Sequence, residues 1–200
     1  MQNKTLLKQF TMMFILSTSF GITAFAGLPV KKITANITSN RTFSSDTIYR
    51  LQEKIYVTNN ATLTIQPGTV IVGDTITKGA LIITRGAKIN AIGTACNPIV
   101  FTSAKAVNRR KRGDWGGLII LGYAPINQPG DTAHIEGLPV NSLTLFGGGQ
   151  NPNCGGGDCP DASDNSGTLQ YVRVEFAGVA LSPNNEINGL TMGGVGAGTT

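Results

Sequence analysis

The chain has 200 residues, of which 14% are charged, 6% are aromatic and 26 are glycine. With 40% hydrophobic residues and a mean hydropathy of +0.06, this composition excludes a disordered chain, a coiled coil and a protein that crosses a membrane many times. The formal net charge of +5 suggests an anionic partner only if the basic residues cluster.

The first 26 residues have the organisation of a secretory signal peptide. Lys4 and Lys8 precede an interrupted apolar stretch at residues 10–24, and a small-x-small end follows it. The stretch is too short and too interrupted to span a bilayer well. We therefore expect cleavage after Ala26, a secreted or outer-surface location, and no transmembrane span in the remainder. An uncleaved anchor helix is the alternative.

From about residue 45 onward, short apolar runs alternate with Gly, Pro, Asn and Thr. They are of strand length and rich in β-branched residues, and no later stretch has a useful helical period. The clearest runs are residues 55–57, 63–65, 70–72, 81–83, 99–101 and 118–120.

The runs also repeat. Residues 61–71 resemble residues 79–89 at a step of 18, and residues 87–93 resemble residues 124–130 at a step of 37. Leu118 follows Leu81 at the same step of 37, as Ile120 follows Ile83. A recurring unit of 18 to 20 residues with glycine at its corners predicts a β-solenoid, with a β-sandwich of hairpins as the alternative.

Several segments resemble exported bacterial right-handed parallel β-helix proteins. They are residues 63–71, 91–103, 113–117, 164–178 and 186–190. The resemblance covers about residues 50–200 and implies an all-β, right-handed parallel β-helix that is secreted or held at the cell surface. It supplies no catalytic residues.

We expect three regions in the chain: the signal peptide, an N-terminal lead-in or cap over residues 27–50, and β-helix coils over residues 51–200. Loop insertions are predicted near residues 104–114 and 147–166. A solenoid needs a terminal cap, and residues 193–200 form a glycine-rich turn instead. The sequence therefore predicts a β-helix that is incomplete at its C-terminal end.

The three cysteines are Cys96, Cys154 and Cys159. Four residues, Gly-Gly-Gly-Asp, separate the last two, and this flexible loop together with export predicts a disulfide between them. Cys96 is then buried or paired outside this chain. A zinc site is the competing interpretation, but His134 is the only histidine and no paired C-x-x-C spacing accompanies it.

An acidic loop lies beside this disulfide. Asp158, Asp161 and Asp164 could supply oxygen ligands to calcium, which is the only cofactor that the sequence suggests. Their spacing matches no EF-hand, and a solvated insertion is the alternative.

The basic residues cluster in the first half of the chain. Residues 27–112 hold 13 basic and 3 acidic side chains, whereas residues 113–200 hold 1 basic and 8 acidic side chains. The basic half ends in a run of four cations, Arg109, Arg110, Lys111 and Arg112. This run predicts contact with glycan, matrix or cell-surface components, and the scarcity of aromatic residues argues against nucleic acid. A protease-sensitive loop is the alternative.

The leading functional hypothesis is an exported surface scaffold or adhesive binding module without catalytic activity. The alternative is an extracellular polysaccharide lyase or hydrolase, which would need paired carboxylates. Asp114 and Glu175 are the candidates for that chemistry, and Asp131 and Glu136 are also available. A lyase also needs a basic residue on the same face, and Arg173 is the only one after Arg112; we expect it to point outward near Glu175.

Overall fold

The structure is a computed structural model that describes residues 27–183 and 185–200. The predicted signal peptide at residues 1–26 lies outside the described residues. The described chain consists of β-strands, short 3₁₀ turns and loops. No helix in this part of the chain is long and apolar enough to cross a membrane.

The strands are β1 (Val30–Ile33), β2 (Arg41–Phe43), β3 (Ile48–Leu51), β4 (Lys54–Val57), β5 (Thr62–Ile65), β6 (Val70–Gly73), β7 (Ala80–Ile83), β8 (Lys88–Ile92), β9 (Ile99–Ser103), β10 (Leu118–Leu121), β11 (Ala133–His134), β12 (Leu145–Phe146), β13 (Gly167–Gln170), β14 (Val172–Val174), β15 (Val179–Ser182), β16 (Asn185–Ile187) and β17 (Leu190–Gly193). The 3₁₀ turns are Val107–Arg109, Pro129–Asp131, Ser142–Thr144 and Pro152–Cys154.

Three parallel sheets form the sides of a β-helix. Sheet A has the spatial order β1-β3-β6-β9-β14, sheet B has β4-β7-β10-β17, and sheet C has β2-β5-β8-β13. The chain visits the sheets in turn and returns to each one strand further along, so the strands of every sheet stack in chain order. The predicted all-β parallel β-helix is confirmed, and the parallel pairing excludes the sandwich of hairpins.

The register confirms one predicted step and corrects the others. Leu81 pairs with Leu118, at the predicted step of 37. The step of 18 between residues 61–71 and 79–89 is wrong as a stacking distance, because Leu63 pairs with Ile89, at a step of 26. The strands matched by the step of 18, β5 and β7, lie in different sheets, and they resemble each other because strands of all three sheets alternate inward and outward residues.

The main core lies inside the coils. Its largest fully buried side chains include Trp115, Phe43, Phe101 and Leu51. The rings of Phe101 and Trp115 stack with 6.5 Å between their centroids. Each coil leaves its inward apolar face open until the next coil covers it, so stacking supplies the core.

A second core lies on the outside of sheet B. The segment between β10 and β13, residues 122–166, is an insertion that packs onto this outer face together with part of the β15–β16 hairpin. The buried members of this core are Ala80, Ile82, Ile119, Leu121, Ile135, Leu138 and Ile187. Strands β7 and β10 are therefore buried on both faces, which explains their uninterrupted apolar sequences.

Both predicted loop regions lie outside the strands of the three parallel sheets. The predicted loop near residues 104–114 lies between β9 and β10, and the predicted loop near residues 147–166 forms the later part of an insertion that begins at residue 122. Residues 124–130 belong to this insertion, and Ile89 pairs with Gly167, so the step of 37 from residues 87–93 is wrong. The expected lead-in at residues 27–50 already contains strands of sheets A and C.

Candidate functional site

The loop between β9 and β10, residues 104–117, carries the predicted basic run, and we call it the basic loop. Arg109, Lys111 and Arg112 are exposed, and none of them forms an ion pair with a described residue. Arg110 turns back toward the β-helix. Its Nε donates to the Lys105 carbonyl oxygen at 3.0 Å, so three of the four predicted cations face solvent.

A buried carboxylate holds the basic loop in place. Asp114 is 1% exposed and accepts hydrogen bonds from Ser103 Oγ at 2.7 Å, Lys105 Nζ at 2.5 Å and the Lys111 N–H at 3.0 Å. Burial by itself raises the pKa of Asp114, but the three donors and the Lys105 charge together lower it, to about 2. The carboxylate is therefore ionised and shapes the loop. Its burial keeps it out of reach of a polysaccharide.

The other predicted catalytic acid, Glu175, follows β14 and is more open. Its side chain is 22% exposed, pairs with Arg173 and accepts a hydrogen bond from Thr102 Oγ1 at 3.1 Å. Arg110 Nη1 donates to the same Thr102 hydroxyl at 3.3 Å. The predicted outward position of Arg173 near Glu175 is confirmed. The structure thus gathers one acid and two guanidinium groups on the outside of sheet A.

The backbone of Glu175 also takes part in the core. Its carbonyl oxygen accepts a hydrogen bond from Trp115 Nε1 at 2.8 Å, and its N–H donates to the Phe101 carbonyl oxygen at 2.9 Å. The indole N–H is thereby satisfied although Trp115 is fully buried. This contact fixes the end of β14 against the basic loop, a link between two distant segments that the sequence did not indicate.

The three acids of the predicted calcium loop do not converge. Asp161 accepts hydrogen bonds from the Ser163 hydroxyl and N–H, which lower its pKa. Asp164 is buried and accepts from Ser166 Oγ at 2.9 Å, whereas Asp158 is exposed. Within residues 27–183 and 185–200, no three Asp, Glu, His or Cys side chains are grouped as metal ligands. The geometry does not support a calcium site built from these three carboxylates.

The predicted disulfide between Cys154 and Cys159 is present, and it closes a short loop within the insertion. Cys96 is a free, exposed cysteine in the structure and not a buried one.

The remaining polar candidates hold the insertion together. Asp131 Oδ1 accepts the Ile126 N–H at 2.5 Å. Glu136 Oε1 accepts the Glu186 N–H at 3.1 Å. The ring of His134 is hydrogen-bonded to a threonine hydroxyl of the same insertion. Each of these side chains therefore has a structural partner, although the buried Oδ2 atom of Asp131 accepts no hydrogen bond within the described residues.

The sequence model of one protein family, described as a pectate-lyase-like β-helix domain, matches residues 35–200. No curated protein and no solved structure gives a significant match to the chain. The matched region contains strands of all three parallel sheets, the basic loop and the insertion on sheet B. The chain belongs to the pectate-lyase-like β-helix domain family.

Proposed function

We propose that this protein is an extracellular binding module that attaches to an anionic polysaccharide through the basic loop. The observation that carries this proposal is the display of Arg109, Lys111 and Arg112 without carboxylate partners among the described residues. Cations on a surface attract a polyanion and raise its rate of association. The family supports a partner of this chemistry, because pectate is an acidic polysaccharide.

The fixed position of the basic loop also supports a binding role. The Asp114 carboxylate binds the side chains of Ser103 and Lys105 and the backbone of Lys111, and the Lys78 ammonium donates to the Gly113 carbonyl oxygen at 2.8 Å. A loop that is ordered before binding loses less conformational entropy when the ligand arrives. Asp114 therefore serves binding by positioning the loop and not by contacting the ligand.

The test is a binding measurement with polygalacturonate as the acidic polymer and dextran as the uncharged one. The triple variant Arg109→Gln/Lys111→Gln/Arg112→Gln removes the exposed cations, and Lys31→Gln/Lys32→Gln/Lys54→Gln removes equal charge from β1 and β4. We expect the loop variant to lose affinity by about tenfold or more, the control variant to lose much less, and binding to weaken with salt. Equal losses in both variants, or no binding by the natural chain at low salt, would contradict the proposal.

A second candidate function is a polysaccharide lyase that uses Glu175. The partial exposure of Glu175 beside Arg173 favours it, because a lyase needs a base next to a cation that neutralises the uronate carboxylate. In such an elimination the base removes the proton from the carbon next to that carboxylate, a carbon–carbon double bond forms as the bond to the leaving sugar oxygen breaks, and that oxygen takes a proton from water. We would detect this activity as unsaturated uronides released from polygalacturonate. If Glu175→Gln lost that product and the exposed control Glu53→Gln retained it, the protein would be an enzyme and not only a binding module.

A further inference from the structure

A cleft of about 360 Å³ lies where the insertion meets the corner of the β-helix. Thr58, Thr84 and Arg85 line it from the β-helix side, and Ser142 and Gln150 line it from the insertion. Its volume falls within the range of ligand pockets in proteins, about 300 to 1,000 Å³. The cleft is separate in sequence from the basic loop and shares no lining residue with it.

Arg85 is the only charged residue among those lining the cleft. Its Nη1 donates to the carbonyl oxygens of Gly147 at 2.9 Å and Gly149 at 2.7 Å, and its Nη2 donates to that of Gln150 at 3.3 Å. The guanidinium lies over the ring of Tyr123, 4.9 Å from the ring centroid. These contacts fix the cation at the boundary between the β-helix and the insertion.

The contacts of Arg85 satisfy some of its donors but do not neutralise its charge. Within residues 27–183 and 185–200 it pairs with no carboxylate, and its Nε has no hydrogen-bond acceptor. Burial lowers the pKa of Arg85, although a guanidinium stays protonated in proteins. A partly buried cation without a counter-charge is unfavourable and would be stabilised by an anion.

We infer that this cleft binds a small molecule carrying an oxyanion, with the negative group directed at Arg85. Hydroxyl and amide groups of Thr58, Ser142 and Gln150 can bind a polar body, and Leu143 and Leu145 supply an apolar wall. Carboxylate, phosphate and sulfate share the required chemistry. The site is independent of the proposed attachment through the basic loop.

The test is calorimetric titration of the full chain with glucuronate, inorganic phosphate and inorganic sulfate at constant ionic strength, with glucose as the uncharged probe. We expect saturable binding of at least one oxyanion and none of glucose, and the preferred oxyanion identifies the group. The triple variant of the basic loop should bind it as the natural chain does. The inference is overturned if none of the three oxyanions shows saturable binding, or if glucose binds as well as glucuronate.

Two variants locate the binding. Arg85→Gln should weaken it at least tenfold, but Arg85 also tethers the insertion, so this variant is informative only if it folds. Ser142→Trp fills the cleft from an exposed position and leaves Arg85 untouched, and it should also weaken binding at least tenfold. Ser45→Trp makes the same change at an exposed serine outside the cleft and should bind normally. Unchanged binding by Ser142→Trp overturns the inference even if Arg85→Gln unfolds.

Discussion

Lys105 and Asp114 form an ion pair at the base of the basic loop, with 2.5 Å between Nζ and Oδ1. The carboxylate is buried, whereas the lysine side chain is 34% exposed, so the charge of Asp114 depends on donors that the loop itself provides. The same ion pair therefore contributes both to the stability of the fold and to the position of the exposed cations.

Replacing Asp114 by alanine should destabilise the protein. The change leaves Ser103 Oγ, Lys105 Nζ and the Lys111 N–H without their acceptor, and we expect the free energy of unfolding to fall by about 3 kcal/mol. Urea unfolding measures the loss. Asp158→Ala, which changes an exposed aspartate, should stay within about 0.5 kcal/mol of the natural chain. Similar small effects in both variants would contradict the role given to Asp114.

The stabilisation by Asp114 should depend on pH in a defined direction. Its pKa is about 2 in the folded protein, below the ordinary value of 3.8, so the unfolded chain takes up the proton first as the pH falls. The contribution is complete above about pH 5 and is lost as the pH falls through about 2. The stability difference between the natural chain and Asp114→Asn should shrink over that interval in urea titrations. If this stability difference grew on acidification, the predicted direction would be wrong.

The second core predicts a strong effect of an outward-facing residue. Ile119 points to the outside of sheet B and is fully buried by the insertion, so Ile119→Ala should reduce the free energy of unfolding by about 3 kcal/mol. Ile76→Ala removes the same atoms from a side chain that is 87% exposed and should have little effect. Limited proteolysis should cut the insertion faster in Ile119→Ala. Equal stability of the two variants would show that the insertion does not cover this face.

Trp115 packs so closely against Gly73 that we expect the protein not to tolerate a methyl group added at this glycine. A Cβ atom at Gly73 would lie 2.4 Å from Cβ and Cγ of Trp115. We expect Gly73→Ala to cost about 2 kcal/mol and to alter the fluorescence of the only tryptophan. Gly157→Ala is the control, because its Cβ atom would approach nothing closer than 3.5 Å. An unchanged emission spectrum in Gly73→Ala would contradict this packing.

The sequence allowed the strand content and the parallel β-helix to be predicted, but not the length of its coils. Inward and outward residues alternate along the strands, so β5 of sheet C resembles β7 of sheet B, and residues 61–71 matched residues 79–89 at a step of 18 although β5 and β7 do not pair. The sequence of β10 did indicate that the insertion covers this strand. Residues 118–121 are apolar without alternation, which indicates a strand that is covered on both faces.

The candidate site was predictable only in part. The run of four cations was visible, as was the closeness of Arg173 in β14 to Glu175, which directly follows that strand. The burial of Asp114 could not be predicted. It depends on contacts with Ser103 and Lys105, which form only when the basic loop folds back on itself. The same holds for Arg85, whose acceptors Gly147 and Gly149 are more than sixty positions away.

Because the strands stack in chain order, the uneven distribution of charge along the sequence becomes a separation of positive and negative charge in space. Residues 27–112, which form strands β1 to β9 and most of the basic loop, carry an excess of ten positive charges, and residues 113–200, which form the last strands and the insertion, carry an excess of seven negative charges. A negatively charged surface therefore exerts a torque on the molecule and turns the part formed by residues 27–112 toward that surface as the molecule approaches. This alignment acts over about 8 Å at physiological ionic strength, before any side chain touches the surface.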